Sequence, residues 1–289
     1  MTADAIAIPG LNAITDRFDH VLLDQWGPLH QGEAVFAAAR DCVARLRAAG
    51  KRVVVLSNSG RRAAENRQRV AELGLPPEAY DGILTSGEVT WRGLAARTQP
   101  PFTALGGSCV LISRGGDRSI VEGLDLRVVA DIGDADFILL GGLDDETAEP
   151  ELWRDLLTRA AARRLPMLCA NPDLAMFSPR GLIPAPGALA AFYRALGGTV
   201  AYVGKPHAPI FVAAREQLGN PSPGRVLVIG DSLDHDIAGG RAAGMLTLLT
   251  TLGVHKEALA NAPDPRQAVL ALAGNEARTP HWIMDRLVW

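Results

Sequence analysis

Several positions in the chain combine side-chain chemistry with a place where the backbone would expose it. Asp24 closes the apolar run at residues 20–23. A carboxylate there is costly to bury without partners; at a strand tip facing a crevice it can attack phosphorus and form an aspartyl-phosphate. Asp231 follows a second apolar run, RVLVI at residues 225–229, and Gly230. Two carboxylates meeting a phosphate dianion would repel it. A divalent cation removes that repulsion and aligns the attacking and transferring oxygens, which makes Asp231 the leading metal ligand. Ser57 places a hydroxyl at the end of KRVVVL, and Asn58 and Ser59 add backbone amides near a helix start, an arrangement that can hold phosphate oxygens. Lys205, between Gly204 and Pro206, could neutralise charge on a transferring group. Taken alone, each has an ordinary explanation: a turn or cap aspartate, a capping serine, a solvated loop lysine, or, at Asp234 and Asp236, acids complementing a helix dipole.

The elements that must position these residues alternate between short apolar runs and amphipathic stretches, the pattern of a parallel sheet with crossover helices. Val35, Cys42, Val43 and Leu46 fall at helical spacing before Gly50; a strand at 51–56 and a charged helix through Leu73 follow. Residues 225–229 predict a strand, 236–243 a short helix and 245–249 another strand, while 261–266 read as an exposed loop. Reactive residues therefore sit just past the carboxyl ends of several strands, the edge that forms the ligand crevice of doubly wound sheets. The middle of the chain has its own alternation, with strands at 109–112, 137–140 and 167–170 and a helix at 152–163. The expected architecture is α/β: a Rossmann-like parallel-sheet core from residues 1–85 and 184–289, with a smaller α/β domain from 86–183 inserted into it.

Composition narrows the function classes. At 289 residues and 48% hydrophobic, the chain can build one large core or two ordinary ones. Only 5% is aromatic and glycine is frequent, which suits helix-on-sheet packing better than a β-sandwich. A net charge of −3 provides no basic stripe for tracking nucleic acid. A small phosphorylated ligand remains compatible, because a metal ion and one lysine supply local positive charge. Cys42, Cys109 and Cys169 form no CxxC pair and read as buried, inert thiols of a reducing compartment. The first twenty residues lack a secretory pattern and no apolar run reaches membrane-spanning length, so a cytoplasmic protein without a membrane partner is expected.

In order, VLLDQWGPLH around Asp24, VVVLSNSG around Ser57, VGKP at Lys205 and VIGDSLDHD around Asp231 resemble the four motifs of the haloacid dehalogenase-like superfamily. The layout is most similar to class IIA, which includes nitrophenylphosphatase, NagD-like phosphatases and pyridoxal phosphate phosphatase, and whose cap lies between the second and third motifs. TSGEVT from Thr85, ANPD from Ala170 and GLIPAPGAL from Gly181 look similar as well, so the resemblance runs from about residue 18 to about residue 251. It implies a phosphatase with Asp24 as nucleophile and Lys205 as its catalytic partner. Ser57, Asn58 and Ser59 would bind substrate. Asp24, the backbone carbonyl of Trp26, Asp231 and Asp236 would hold Mg2+. The implied substrate is a small phosphorylated metabolite, chosen by a cap to which residues 171–181 would lend specificity contacts; a homo-oligomer is compatible.

Trp26 departs from that pattern. Phosphatases of the superfamily usually carry a second Asp two residues after the nucleophile, as general acid and base, work worth about 10²–10⁴-fold in rate. Tryptophan cannot do it, although its backbone carbonyl still binds metal. His30 is a candidate substitute beside its plainer reading as a loop histidine, and His207 and His235 flank other motifs. Two alternatives follow: a regulatory module that keeps the phosphate and metal site without useful turnover, and a carbon–halogen hydrolase, whose halide needs no proton. Against the latter stand the acidic fourth motif at Asp231 and the 32 residues between Asp24 and Ser57, too few for the helical cap that such enzymes insert there.

Overall fold

The computed structural model describes residues 5–179, 181–259 and 262–289. It divides into two compact units, one of residues 1–57, 67–84 and 205–289 and the other of residues 58–66 and 85–204.

The first unit is built on a seven-stranded sheet. Its strands lie in the order Ile6–Ala7, Trp282–Met284, Leu246–Thr250, Val226–Gly230, His20–Asp24, Arg52–Ser57 and Gly82–Thr85. From Ile6–Ala7 across to Arg52–Ser57 every pairing is parallel. Buried aliphatic runs such as Val21, Leu22 and Leu23, Val53, Val54 and Val55, and Val226, Leu227, Val228 and Ile229 explain this, because a parallel strand is covered on both faces. From His20–Asp24 the chain first adds strands on one side and, after the inserted segment, adds them on the other. That strand and Val226–Gly230 therefore flank a topological switch point, the place where doubly wound sheets bind their ligands. Register places Leu56 opposite Asp24 and Ile229 opposite Leu23, so Ser57 and Asp231 stand just beyond the same sheet edge.

The second unit holds a five-stranded sheet in the order Thr199–Tyr202, Pro166–Cys169, Phe137–Leu140, Ser108–Ile112 and Arg127–Val128, all parallel, and an antiparallel hairpin of Ala175–Ser178 with Gly181–Pro184. It runs on to Gly204 rather than stopping near residue 183. The reason is that Thr199–Tyr202 extends its sheet while Leu189, Ala190 and Tyr193 of helix Pro186–Ala195 fill its core. Residues 58–66 also belong to it. Ser86 Oγ donates to the Asn58 carbonyl at 2.8 Å, and Thr85 Oγ1 to that of Arg61 at 2.6 Å. The Arg62 guanidinium pairs with Glu88 at 2.6 Å and lies 3.9 Å above the Trp91 ring. Contrary to the expected loop at 261–266, Pro265 begins helix Pro265–Ala273, capped by the Asp264 side chain; Asn261 lies outside the described residues.

Among the described residues no helix is long and apolar enough to cross a membrane. Close backbone approach is the tightest packing constraint in the second unit: a Cβ on Gly60 would lie 1.8 Å from the Gly141 carbonyl oxygen. Gly60→Ala should therefore cost about 1–3 kcal/mol of stability in a denaturant melt. Gly107→Ala, with nothing within 4 Å of its Cβ, should cost far less.

Candidate active site

Four of the predicted residues meet at the carboxyl edge of the seven-stranded sheet. Lys205 Nζ lies 2.6 Å from Asp24 Oδ1 and 2.7 Å from Asp236 Oδ1. Carboxylate oxygens of Asp24, Asp231 and Asp236 lie within 4.8 Å of one another. The ion pairs are deeply set, with the Lys205 and Asp236 side chains 3% and 1% exposed.

Backbone donors hold each acid. The Gln25 N–H donates to Asp24 Oδ1 at 2.8 Å, the Ser232 N–H to Asp236 Oδ2 at 3.2 Å and the Val254 N–H to Asp231 Oδ2 at 2.9 Å. Three glycines let the chain come this close. A Cβ on Gly253 would sit 2.0 Å from Asp231 Oδ2, one on Gly27 2.2 Å from the same oxygen, and one on Gly230 2.0 Å from Asp236 Cγ. Gly27 also has φ +92°, a conformation that side chains other than glycine's rarely adopt. The short helix expected from residue 236 begins instead with a single π turn, Leu233–Ile237, in which the Ile237 N–H reaches back to the Ser232 carbonyl at 3.1 Å. Such wide turns concentrate at functional sites. This one buries Asp236 and leaves Asp234 exposed, paired with Arg278 at 3.0 Å.

Electrostatics shows what the cluster lacks. Burial, then repulsion from Asp236, pushes the Asp24 carboxyl well above the usual carboxylate range, with Lys205 pulling the other way. Burial and Asp236 push Asp231 up to about 7. Burial disfavours the Lys205 ammonium, but Asp236 and Asp24 outweigh it and raise its pKa. Three carboxylates facing one ammonium leave surplus buried negative charge, and their oxygens form the hard donor set that a magnesium-like cation takes. The residues therefore fit a divalent cation.

Ser57 ends its strand one residue beyond the Asp24 register position. Asn58 and Ser59 fall in the second unit, and their side chains have structural partners there. Asn58 Nδ2 donates to Asp173 Oδ1 at 2.7 Å, while Ser59 Oγ accepts from the Asn66 amide at 3.1 Å and the Arg61 N–H at 3.3 Å. The Trp26 indole is 38% exposed and meets the His30 ring edge-on, with centroids 5.5 Å apart.

His30 cannot stand in as the missing acid and base. The Gly32 N–H donates to its Nδ1 at 3.1 Å, which puts the ring proton on Nε2. The Gln25 carboxamide lies 3.2 Å from that nitrogen, and its buried oxygen has no hydrogen-bond partner. Exchanging the amide oxygen and nitrogen satisfies both groups and commits both ring nitrogens. Burial, then the charge of Arg69, lowers the His30 pKa to about 4. Among the other weak candidates, burial and then His235 lower the pKa of His207, and His235 Nδ1 lies 3.2 Å from Ser232 Oγ. Sequence reading missed the roles of Gly27, Gly253 and the Val254 N–H. Only the Gly230–Asp231 step carries a local sign, a glycine directly before a reactive acid.

The chain is similar to known proteins along most of its length. A haloacid dehalogenase-like hydrolase model matches residues 21–127, and a related hydrolase-like model matches residues 202–274. Chronophin of Rattus norvegicus is 32% identical over 288 residues, covering 96% of this chain and 88% of that protein. A hydrolase of the haloacid dehalogenase-like family from Brucella suis superposes with a TM-score of 0.80 at 33% identity, covering 97% of this chain and all of that one. The glycerol phosphate phosphatase of Mycobacterium tuberculosis, solved in complex with magnesium, gives a TM-score of 0.69 at 26% identity over 94% of this chain and 76% of that one. With this fold, this motif order and these relatives, the chain belongs to the haloacid dehalogenase-like hydrolases, in the class IIA group of nitrophenylphosphatase-like enzymes.

Proposed function

We propose that the chain is a magnesium-dependent phosphatase that hydrolyses a small phosphorylated metabolite through an aspartyl-phosphate on Asp24. The observation that carries the reading is the buried bridge from Lys205 to Asp24 and Asp236, with Asp231 alongside. Relatives named as phosphatases support the reaction class, among them the D-glycerol 3-phosphate phosphatase of Mycobacterium tuberculosis.

Both Lys205 and the Gln25 N–H bond to Asp24 Oδ1, which orients the carboxylate and leaves Oδ2 as the attacking oxygen. Lys205 is held charged by its two carboxylate partners and offsets negative charge on the transferring group. Ser57 contributes a hydroxyl for a phosphate oxygen. Asp231 and Asp236, with Asp24 and the Trp26 carbonyl, would hold magnesium, which supplies charge neutralisation and alignment when bound. A second reading, a phosphate-binding regulatory module without useful turnover, is favoured by Trp26 alone.

With magnesium and a broad metabolite panel, phosphate release should fall by about 10³-fold or more in Asp24→Asn. A wild-type chain no faster than this variant on every compound would remove the phosphatase reading. Magnesium at a hundred times its Kd should stabilise the wild-type fold by about 2.7 kcal/mol, read as a rise in Tm. In Asp231→Asn the metal-free Tm should equal or exceed that of the wild type, because one repelling charge is gone, while the magnesium increment should largely vanish. A full increment in that variant would place the cation elsewhere.

A further inference from the structure

Resting on the phosphatase reading, we infer that Trp26 confines this enzyme to phosphate compounds whose leaving group departs as a stable anion, namely acyl, enol and acidic aryl phosphates, and makes the Asp24 phosphoenzyme long-lived.

Hydrolysis through an aspartyl-phosphate contains two proton tasks. In the first step the Asp24 oxygen–phosphorus bond forms as the bond from phosphorus to the leaving oxygen breaks. The leaving oxygen keeps the electron pair and needs a proton only if its anion is unstable. In the second step a water oxygen attacks phosphorus, the pair returns to the Asp24 carboxylate, and a water proton must be removed. The loop after Asp24 provides no group for either task. The indole of Trp26 is a donor with no accessible base form. Its ring meets His30 at an interplanar angle of 78° and packs on Gly32, whose Cβ would lie 3.1 Å from it. His30 has both nitrogens bonded, Nδ1 by the Gly32 N–H and Nε2 by the Gln25 carboxamide. Gln31 points its amide at the Leu252 carbonyl, 3.4 Å away.

The carboxylates of the cluster face donors of their own. Asp236 accepts from Lys205 and from Ser232, and Asp231 accepts from Val254. His255 Nε2 accepts the Leu233 N–H at 3.2 Å. An alcohol, with a pKa near that of water at about 16, is a poor unprotonated leaving group. A carboxylate, with a conjugate-acid pKa of about 4, leaves without help. Alkyl phosphates therefore lose the whole general-acid contribution, about 10²–10⁴-fold. Acyl phosphates lose almost none of it, and for both classes the second step is slow.

The test uses the full-length chain with magnesium on acetyl phosphate, a graded series of aryl phosphates and an alkyl phosphate. Wild type should show kcat/KM falling steeply as leaving-group pKa rises, with the alkyl ester about 10²–10⁴-fold below the acidic aryl esters. Leaving-group release should show a burst of about one equivalent per active site, and intact-protein mass spectrometry should find one added phosphoryl group that is absent in Asp24→Asn. Trp26→Asp should flatten the dependence and remove the burst; Trp26→Phe should retain both, which separates loss of proton transfer from loss of fold. Equal kcat/KM on alkyl and acidic aryl esters in the wild type, or an unchanged slope in a folded Trp26→Asp, overturns the inference while the phosphatase reading stands. Should even acetyl phosphate give neither phosphate nor phosphoenzyme above Asp24→Asn, the phosphatase reading falls and takes this inference with it.

Discussion

A lysine ammonium held between two buried carboxylates is the interaction on which the arrangement of this site depends. Lys205 could not remain charged at 3% exposure without Asp24 and Asp236, and its own charge opposes the burial that raises the Asp24 pKa. Removing Lys205 leaves two buried carboxylates without their counter-ion. The geometry is thus enforced by electrostatics as much as by packing. The bridge also selects which Asp24 oxygen is engaged, because the lysine and a backbone N–H converge on Oδ1.

The cluster is nevertheless unbalanced. Three acids share one ammonium, and burial followed by repulsion from Asp236 raises the pKa of both Asp24 and Asp231. Glycines at positions 27, 230 and 253 offset part of this by allowing backbone donors to reach the carboxylates.

Trp26 shows how one substitution separates functions that usually travel together. Its backbone still lies in the loop that Gly27 seats against Asp231, so the packing around the acid cluster is kept. Its side chain contributes an apolar ring, braced by His30, where a proton-transferring group would serve hydrolysis. His30, which looks from its position like a replacement, is instead the support for that ring.

The sequence by itself determined the sheet and the identity of the acids. Continuous aliphatic runs ending in a reactive residue, as at Leu23–Asp24 and Ile229–Gly230–Asp231, are legible because a strand buried on both faces admits almost nothing polar until it ends. Local pattern could not assign residues 184–204 to a unit, since that depended on a sheet pairing to Pro166–Cys169. The motif match already preferred Asp236 to Asp234, and the π turn is what buries it. Only the tertiary structure brought Lys205 to Asp24, tied Asn58 to Asp173, and occupied both nitrogens of His30. Such contacts join residues far apart in the chain or hinge on a loop's exact path. Periodicity and propensity report only on the backbone near each residue, so the charges and hydrogen bonds that fix the chemistry emerge when the strands have been laid side by side.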